Sequence, residues 1–420
     1  MPTWNVTSGA IAIATVLTGV VRPATARSAD QMDSAYFGAH VHRSVPNKLW
    51  KQVGFGAIRL HDANVTWSEL EPQKGAWKWE RLDRIVDNAR KAGVQILLPL
   101  QAPPTWAASE PASPGAYGSG ANTAPARAED WTNYVAAVVT RYKGVIDGYE
   151  IWNEPNLKKF YTGTPEKMAE LTRQASEVIR RIDPSATLVC ASITGDYGVP
   201  WLSRYLASGT GSHCDVIGYH FYTRHQPPEV MLPTIAAVRK VMGDAGLGDK
   251  PLWNTESGWV IGISPDIDVA ASGFKSDVKV LTPDETTAYI PRALLLARQA
   301  GVSRFYWYSW DHPSMGFSIG RGVGWTRPAR LYSEFRQLVV GATLDGCSAT
   351  RGSWTCDLKL TSGERLAAYW SEMESGSVSA SFAGEVLAIG PDGTLTAKRQ
   401  VRPGDVVSVS QEPVFLREVR

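Results

Sequence analysis

The 420-residue chain carries 43 Lys and Arg against 41 Asp and Glu, a formal net charge of +2. That balance lacks the strong field that binds nucleic acid or an anionic membrane, so a neutral ligand fits better. With 44% hydrophobic residues, among them 16 Trp, 15 Tyr and 10 Phe, the chain has material for a large core, which excludes dominant disorder.

An apolar stretch from Gly9 to Val21 precedes Ala24-Thr25-Ala26, a small-residue cleavage pattern. Residues 1–26 are therefore expected to be a secretory signal, placing the mature protein in the periplasm or outside the cell. No later run reaches membrane-spanning length, so the mature chain is expected to have no membrane span. From 27 to 340, short apolar runs alternate with amphipathic stretches, the pattern of βα units. Eight strands are predicted, at 36–41, 57–61, 94–100, 146–152, 187–193, 216–222, 251–256 and 304–310. Between the second and third, Leu82, Ile85, Val86 and Ala89 recur at helical spacing. The fold class is α/β, a (β/α)8 TIM barrel. Two long irregular segments follow strands, 101–130 and 257–282, and on this architecture they would wall a cleft at the carboxyl-terminal face.

Beyond Val340 the pattern changes to short alternating runs separated by Gly, Asp and Ser turns. Residues 341–420 are expected to form a small antiparallel, β-sandwich-like domain. Four cysteines suit an oxidising compartment. Cys347 and Cys356 flank a turn and would staple a hairpin, while Cys190 and Cys214 sit near neighbouring strands. Buried free thiols are the alternative.

The chemistry concentrates in two segments. Tyr149-Glu150-Ile151-Trp152-Asn153-Glu154-Pro155 ends the fourth strand, and Leu252-Trp253-Asn254-Thr255-Glu256-Ser257-Gly258-Trp259 ends the seventh. The two segments resemble the acid/base and nucleophile segments of clan A glycoside hydrolases, and in such enzymes cleavage of a glycosidic bond passes through an oxocarbenium-like state, so one carboxylic acid must protonate the departing oxygen while a carboxylate attacks the anomeric carbon. A retaining enzyme sets the two about 5 to 5.5 Å apart. Glu154 is assigned as acid/base and Glu256 as nucleophile, with the charge of Glu256 expected to keep a proton on Glu154 at rest. Glu150 lies deeper in its strand, where pairing with an Arg is the better reading.

The Asn153-Glu154-Pro155 triplet resembles the acid/base signature of clan A glycoside hydrolases, and the Glu256 segment resembles the clan's nucleophile segment. Together with Tyr36-Phe37-Gly38-Ala39-His40, Thr66-Trp67-Ser68-Glu69-Leu70-Glu71-Pro72 and the terminal β domain, they make the chain resemble glycoside hydrolase family 39. Within that family it looks most like the bacterial exopolysaccharide endoglycosidases, and family 5 is the close alternative. The resemblance implies a poly- or oligosaccharide substrate and five substrate-site residues. Arg59 would orient the nucleophile, Asn153 would bond the sugar 2-hydroxyl, His220 and Tyr222 would bond substrate or nucleophile, and Trp307 would floor the sugar subsite. Trp67, Trp106, Trp259 and Trp310 are open between packing and substrate contact. No cofactor is expected, and His40 and His42 lack a partner motif that would make a metal site. A carbohydrate-binding pseudoenzyme is the alternative of a different class. Sugar, linkage, endo or exo action and oligomeric state are left open.

Overall fold

The computed structural model describes residues 31–42, 50–223, 226–262, 279–317 and 325–419. The expected signal segment lies outside them. Eight parallel strands run in chain order: β1 Phe37–His40, β2 Ala57–Arg59, β3 Gln95–Leu100, β4 Gly148–Ile151, β5 in two pieces Thr187–Val189 and Ile193–Thr194, β6 Ile217–His220, β7 Leu252–Ser257 and β8 Val302–Trp307. Neighbours pair in the order 4-3-2-1-8-7-6, and β1 meets β8 at Phe37 and Phe305. The broken β5 closes the ring, its first piece pairing with β4 and its second with β6, with a bridge from Val189 to Val216. The barrel predicted from the alternation is therefore the one formed.

Helices fill the connections: α1 Trp50–Val53, α2 Glu80–Lys91, α3 Ala128–Arg141, α4 Pro165–Ile182, α5 Val199–Ala207, α6 Met231–Asp244, α7 Pro283–Gln299 and, after β8, α8 Arg327–Val339. In α2 the buried residues are Leu82, Ile85, Val86 and Ala89, the stripe read from the sequence. Helix α7 starts with a Thr282/Glu285 capping box and Pro283, then buries every residue from Thr286 to Arg298. A helix buried on all sides needs cover on its outer face too. That cover is the carboxyl-terminal β region, which packs on α7 through its first strand.

The region comprises β9 Thr343–Thr350, β10 Ser353–Lys359, β11 Arg365–Ser371, β12 Gly376–Ser379, β13 Gly384–Ile389, β14 Leu395–Val401, β15 Val406–Val409 and β16 Val414–Glu418. Six strands make one antiparallel sheet in the order 9-10-11-16-13-14, and β12 pairs with β15. Two-residue alternation splits β11 between two cores. Leu366, Ala368 and Trp370 join the barrel's core, while Ala367 and Tyr369 pack with Phe382, Val407 and Leu416 in a smaller one. Both cysteine pairs are disulfides: Cys347–Cys356 across the β9–β10 hairpin and Cys190–Cys214 between the break in β5 and the residues before β6. None of the described residues forms a helix long and apolar enough to cross a membrane.

Inside the barrel the same alternation fixes what points inward. Ala57, Leu97, Val189, Val216, Trp253 and Tyr306 fill its lower part as a separate apolar cluster. One step further along these strands lie Arg59, Glu150 and Tyr308, so the polar groups begin where the apolar plug ends.

Candidate active site

A cleft of about 340 Å³ opens over the carboxyl ends of the strands and is lined by Glu154 and Glu256 with His61, Asp62, Tyr222 and Tyr308. The volume lies in the range of small-molecule sites, and the location is where barrels of this kind carry chemistry. A second cavity of about 250 Å³ sits at the opposite, amino-terminal end near Gln95, Asp147 and Arg304, the face that reads as stability rather than catalysis.

Oxygens of Glu154 and Glu256 and a ring nitrogen of His220 lie within 4.8 Å of one another. Such a cluster is also the right size for a metal ion. Yet Glu256 already receives the Arg59 guanidinium Nη1 on Oε2 at 2.8 Å and the Tyr222 hydroxyl on Oε1 at 2.9 Å. A cation so close to the same carboxylate opposes a second, divalent one.

Arg59 is fully buried and its fork is used on three partners. It donates to both oxygens of Glu150 at 2.6 and 2.7 Å, to Asn153 Oδ1 at 2.8 Å and to Glu256. Burial opposes its charge, but Glu150 and Glu256 outweigh that and keep it protonated. Glu150 thus has the structural pairing expected of it. Asn153 is fully buried, its Nδ2 has no partner among the described residues, and it is not among the residues that line the cleft. Trp152 and Glu154 take positive φ of 71° and 44°, uncommon for residues with a side chain, and the Glu154 N–H is tied to Ser192 O at 2.8 Å. Between Asn254 and Ser257 the β7–β8 register shifts, and such irregularities re-aim side chains. Gly258 follows because a Cβ there would lie 1.8 Å from Tyr308 O.

His220 Nδ1 lies 2.9 Å from Glu154 Oε1. Burial opposes ionisation of Glu154, but the hydrogen bond and charge of His220 outweigh it and set the carboxyl below its ordinary range. The direction is opposite to the rise expected from the charge of Glu256.

Trp307 is also corrected. Its indole is fully buried against Trp259, Phe305 and Phe317, and it does not line the cleft. With Tyr306 in the barrel's inner cluster, alternation sends Trp307 outward and Tyr308 inward, so Tyr308 gives β8's aromatic face to the cleft. Trp67 and Trp259 are likewise buried, whereas Trp106 is part-buried and donates to Glu71 O at 3.0 Å. The 101–130 loop contributes Tyr117, on a two-residue hairpin, whose hydroxyl reaches His61 at 2.9 Å and Asp62 at 2.6 Å. Part of the 257–282 loop, residues 263–278, lies outside the described residues. Sequence reasoning missed His61 and Asp62, although both directly follow the strand that supplies Arg59.

Comparison with known proteins bears on the family and the fold. A family model described as glycosyl hydrolases family 39 matches residues 10–273. A β-xylosidase from Caldicellulosiruptor saccharolyticus is 25% identical over 215 residues, which cover 48% of this chain and 43% of that protein. The chain thus spans less than half the length of that curated relative. Among solved structures, a family 39 glycoside hydrolase from Bacteroides cellulosilyticus WH2 superposes with a TM-score of 0.71 at 18% identity, covering 92% of this chain and 81% of that one. A family 39 β-xylosidase from Caulobacter crescentus gives 0.64 at 16% identity, covering 92% and 96%. At such identities the likeness speaks for the fold.

Proposed function

The chain belongs to glycosyl hydrolase family 39, and on that premise we propose that it is a retaining glycoside hydrolase acting on a poly- or oligosaccharide, with Glu256 as nucleophile and Glu154 as acid/base. The observation that carries the proposal is the approach of the two carboxyl groups, whose oxygens come within 4.8 Å. An inverting enzyme needs roughly 6.5 to 9.5 Å so that a water fits between them.

In the first half-reaction Glu256 attacks the anomeric carbon and the bond to the leaving oxygen breaks. That oxygen takes a proton from Glu154, which is left as a carboxylate, its Oε1 held 2.9 Å from His220 Nδ1. Arg59 and Tyr222 hold the two Glu256 oxygens in line, so little reorganisation remains before attack. In the second half, Glu154 removes a proton from water, the water oxygen bonds to the anomeric carbon, and Glu256 leaves with its charge restored. Export is part of the same proposal, and two disulfides in a chain with no free cysteine among the described residues support it.

The test is the configuration of the first-formed sugar, read by NMR after screening bacterial exopolysaccharides and aryl glycosides, aryl β-xylosides first. Retention is expected, and an inverted anomer from the unmodified protein would sink the assignment. Glu256→Ala should lose almost all turnover on every substrate, with azide restoring some as an inverted glycosyl azide. Glu154→Ala should spare substrates with good leaving groups and let the covalent intermediate accumulate.

A further inference from the structure

Asp62 follows β2 in the left-handed region at φ 58°, a conformation that persists where the surroundings over-determine it. Those surroundings come from distant parts of the chain. Tyr117 donates to Oδ1 at 2.6 Å, Tyr308 donates to Oδ2 at 2.8 Å, and His61 Nε2 stands 3.6 Å from Oδ1. Burial alone would raise the Asp62 carboxyl, but His61 and the two hydroxyls outweigh it and hold it well below the usual carboxylate range. It is therefore an acceptor only. The double displacement proposed above has no use for it.

About a third of the Asp62 side chain, 33%, remains accessible, and the residue lines the cleft together with Glu154 and Glu256. A carboxylate offers about four acceptor positions, and the two phenols take one on each oxygen. One position per oxygen is left, a pair that suits two hydroxyls on adjacent ring carbons. The side of the cleft follows from the neighbours. Arg59, on the strand leading to Asp62, bonds Glu256, whereas Glu154, which serves the leaving group, feels Thr194 and Lys159. Asp62 thus faces the sugar that keeps its anomeric carbon.

We propose that Asp62 is a specificity-determining residue that accepts hydrogen bonds from two neighbouring hydroxyls of this sugar and turns away sugars bearing a carboxylate there. The inference rests on the hydrolase reading. A neutral diol satisfies the two acceptors, while a uronic acid brings a further negative charge into a partly desolvated cleft that already holds Asp62 and Glu256.

The experiment compares kcat/KM of the unmodified protein and Asp62→Asn on 4-nitrophenyl β-xyloside, β-glucoside, β-galactoside, β-mannoside and β-glucuronide. The unmodified protein should prefer its best neutral substrate to the glucuronide by about 100-fold or more. Asp62→Asn should lower kcat/KM on that substrate by roughly 10- to 100-fold, mostly through KM, and narrow the preference by about tenfold. The preference is a ratio taken on one sample, so a smaller folded fraction does not move it. Should Asp62→Asn fail to accumulate, Tyr117→Phe, which strips one donor from the carboxylate, should narrow the ratio by a smaller step. Turnover by the unmodified protein with an unchanged ratio in the variant, or a preference for the glucuronide, overturns this inference alone. Turnover of none of the five, with no exopolysaccharide of the screen cleaved either, overturns the hydrolase reading and this inference with it, whereas cleavage of a polysaccharide with none of the five turned over overturns this inference alone.

Discussion

Arg59 concentrates more of the site's order than either Glu154 or Glu256 does. A buried guanidinium that loses its place leaves Glu150 inside the barrel with its charge unpaired, and that, rather than the lost attraction, is the main cost. Arg59→Leu is therefore expected to destabilise the fold by about 3 to 5 kcal/mol in chemical denaturation. It should also lower kcat, since Glu256 Oε2 and Asn153 Oδ1 lose their shared donor. A stability change under about 1 kcal/mol would mean that water reaches Glu150 and that the pair is not buried in solution. At this scale strand-end motifs were enough to pick out Glu154, Glu256, Arg59, His220 and Tyr222 as residues that the structure brings together. It was silent on Asp62, whose identity as an acceptor depends on Tyr117 and Tyr308, the latter 246 positions away. It also misplaced Trp307, because the run Phe305-Tyr306-Trp307-Tyr308 is aromatic on both faces and only its neighbours decide which face looks inward.

Among the elements, β5 departs most from its reading as one run over 187–193. The apolar stretch Val189-Cys190-Ala191 hides a break that the pairing creates, for Ser192 O is engaged by the Glu154 N–H and Ser192 Oγ by Thr255 at 2.7 Å. The Cys190–Cys214 disulfide straps this break to the residues that lead into β6. It closes a separation of 24 residues, against 9 for Cys347–Cys356. Loop entropy grows with length, so replacing Cys190 and Cys214 by Ala is expected to cost about 3 kcal/mol, somewhat more than the same change at the hairpin. Urea melts of the two double variants check the order. Equal losses, or a larger one at the hairpin, would show that native-state contacts rather than loop length dominate. Strand and helix existence was legible because the periods of two and 3.6 are local properties. The break was not, because it serves a contact to a different strand.

For the molecule as a whole, the carboxyl-terminal sheet completes the barrel's outer layer. Trp370 Nε1 donates to Glu229 Oε1 at 2.8 Å while Arg292 of α7 pairs with Glu229 Oε2 at 2.6 Å, and Phe335 meets Phe415 at 5.6 Å between ring centres. A truncation after Val340 would bare α7 and the ring of Phe335, so it is expected to aggregate or to melt well below the full chain. A soluble, equally heat-resistant truncation, followed by calorimetry, would refute the shared core. The appended β region was readable from its alternation, and its docking on the barrel from the lack of a Pro/Ser-rich linker before Gly341, but which residues face the barrel was not, since in Leu366-Ala367-Ala368-Tyr369-Trp370 apolar residues fall on both faces. The closure of the ring sets a clock on synthesis. Phe37 cannot find Phe305 until 268 further residues have been made, and at roughly 5 to 20 residues per second that takes from about a quarter of a minute to nearly a minute. Until then one edge of β1 has no strand to pair with, and an unpaired edge is the kind of surface through which chains associate wrongly.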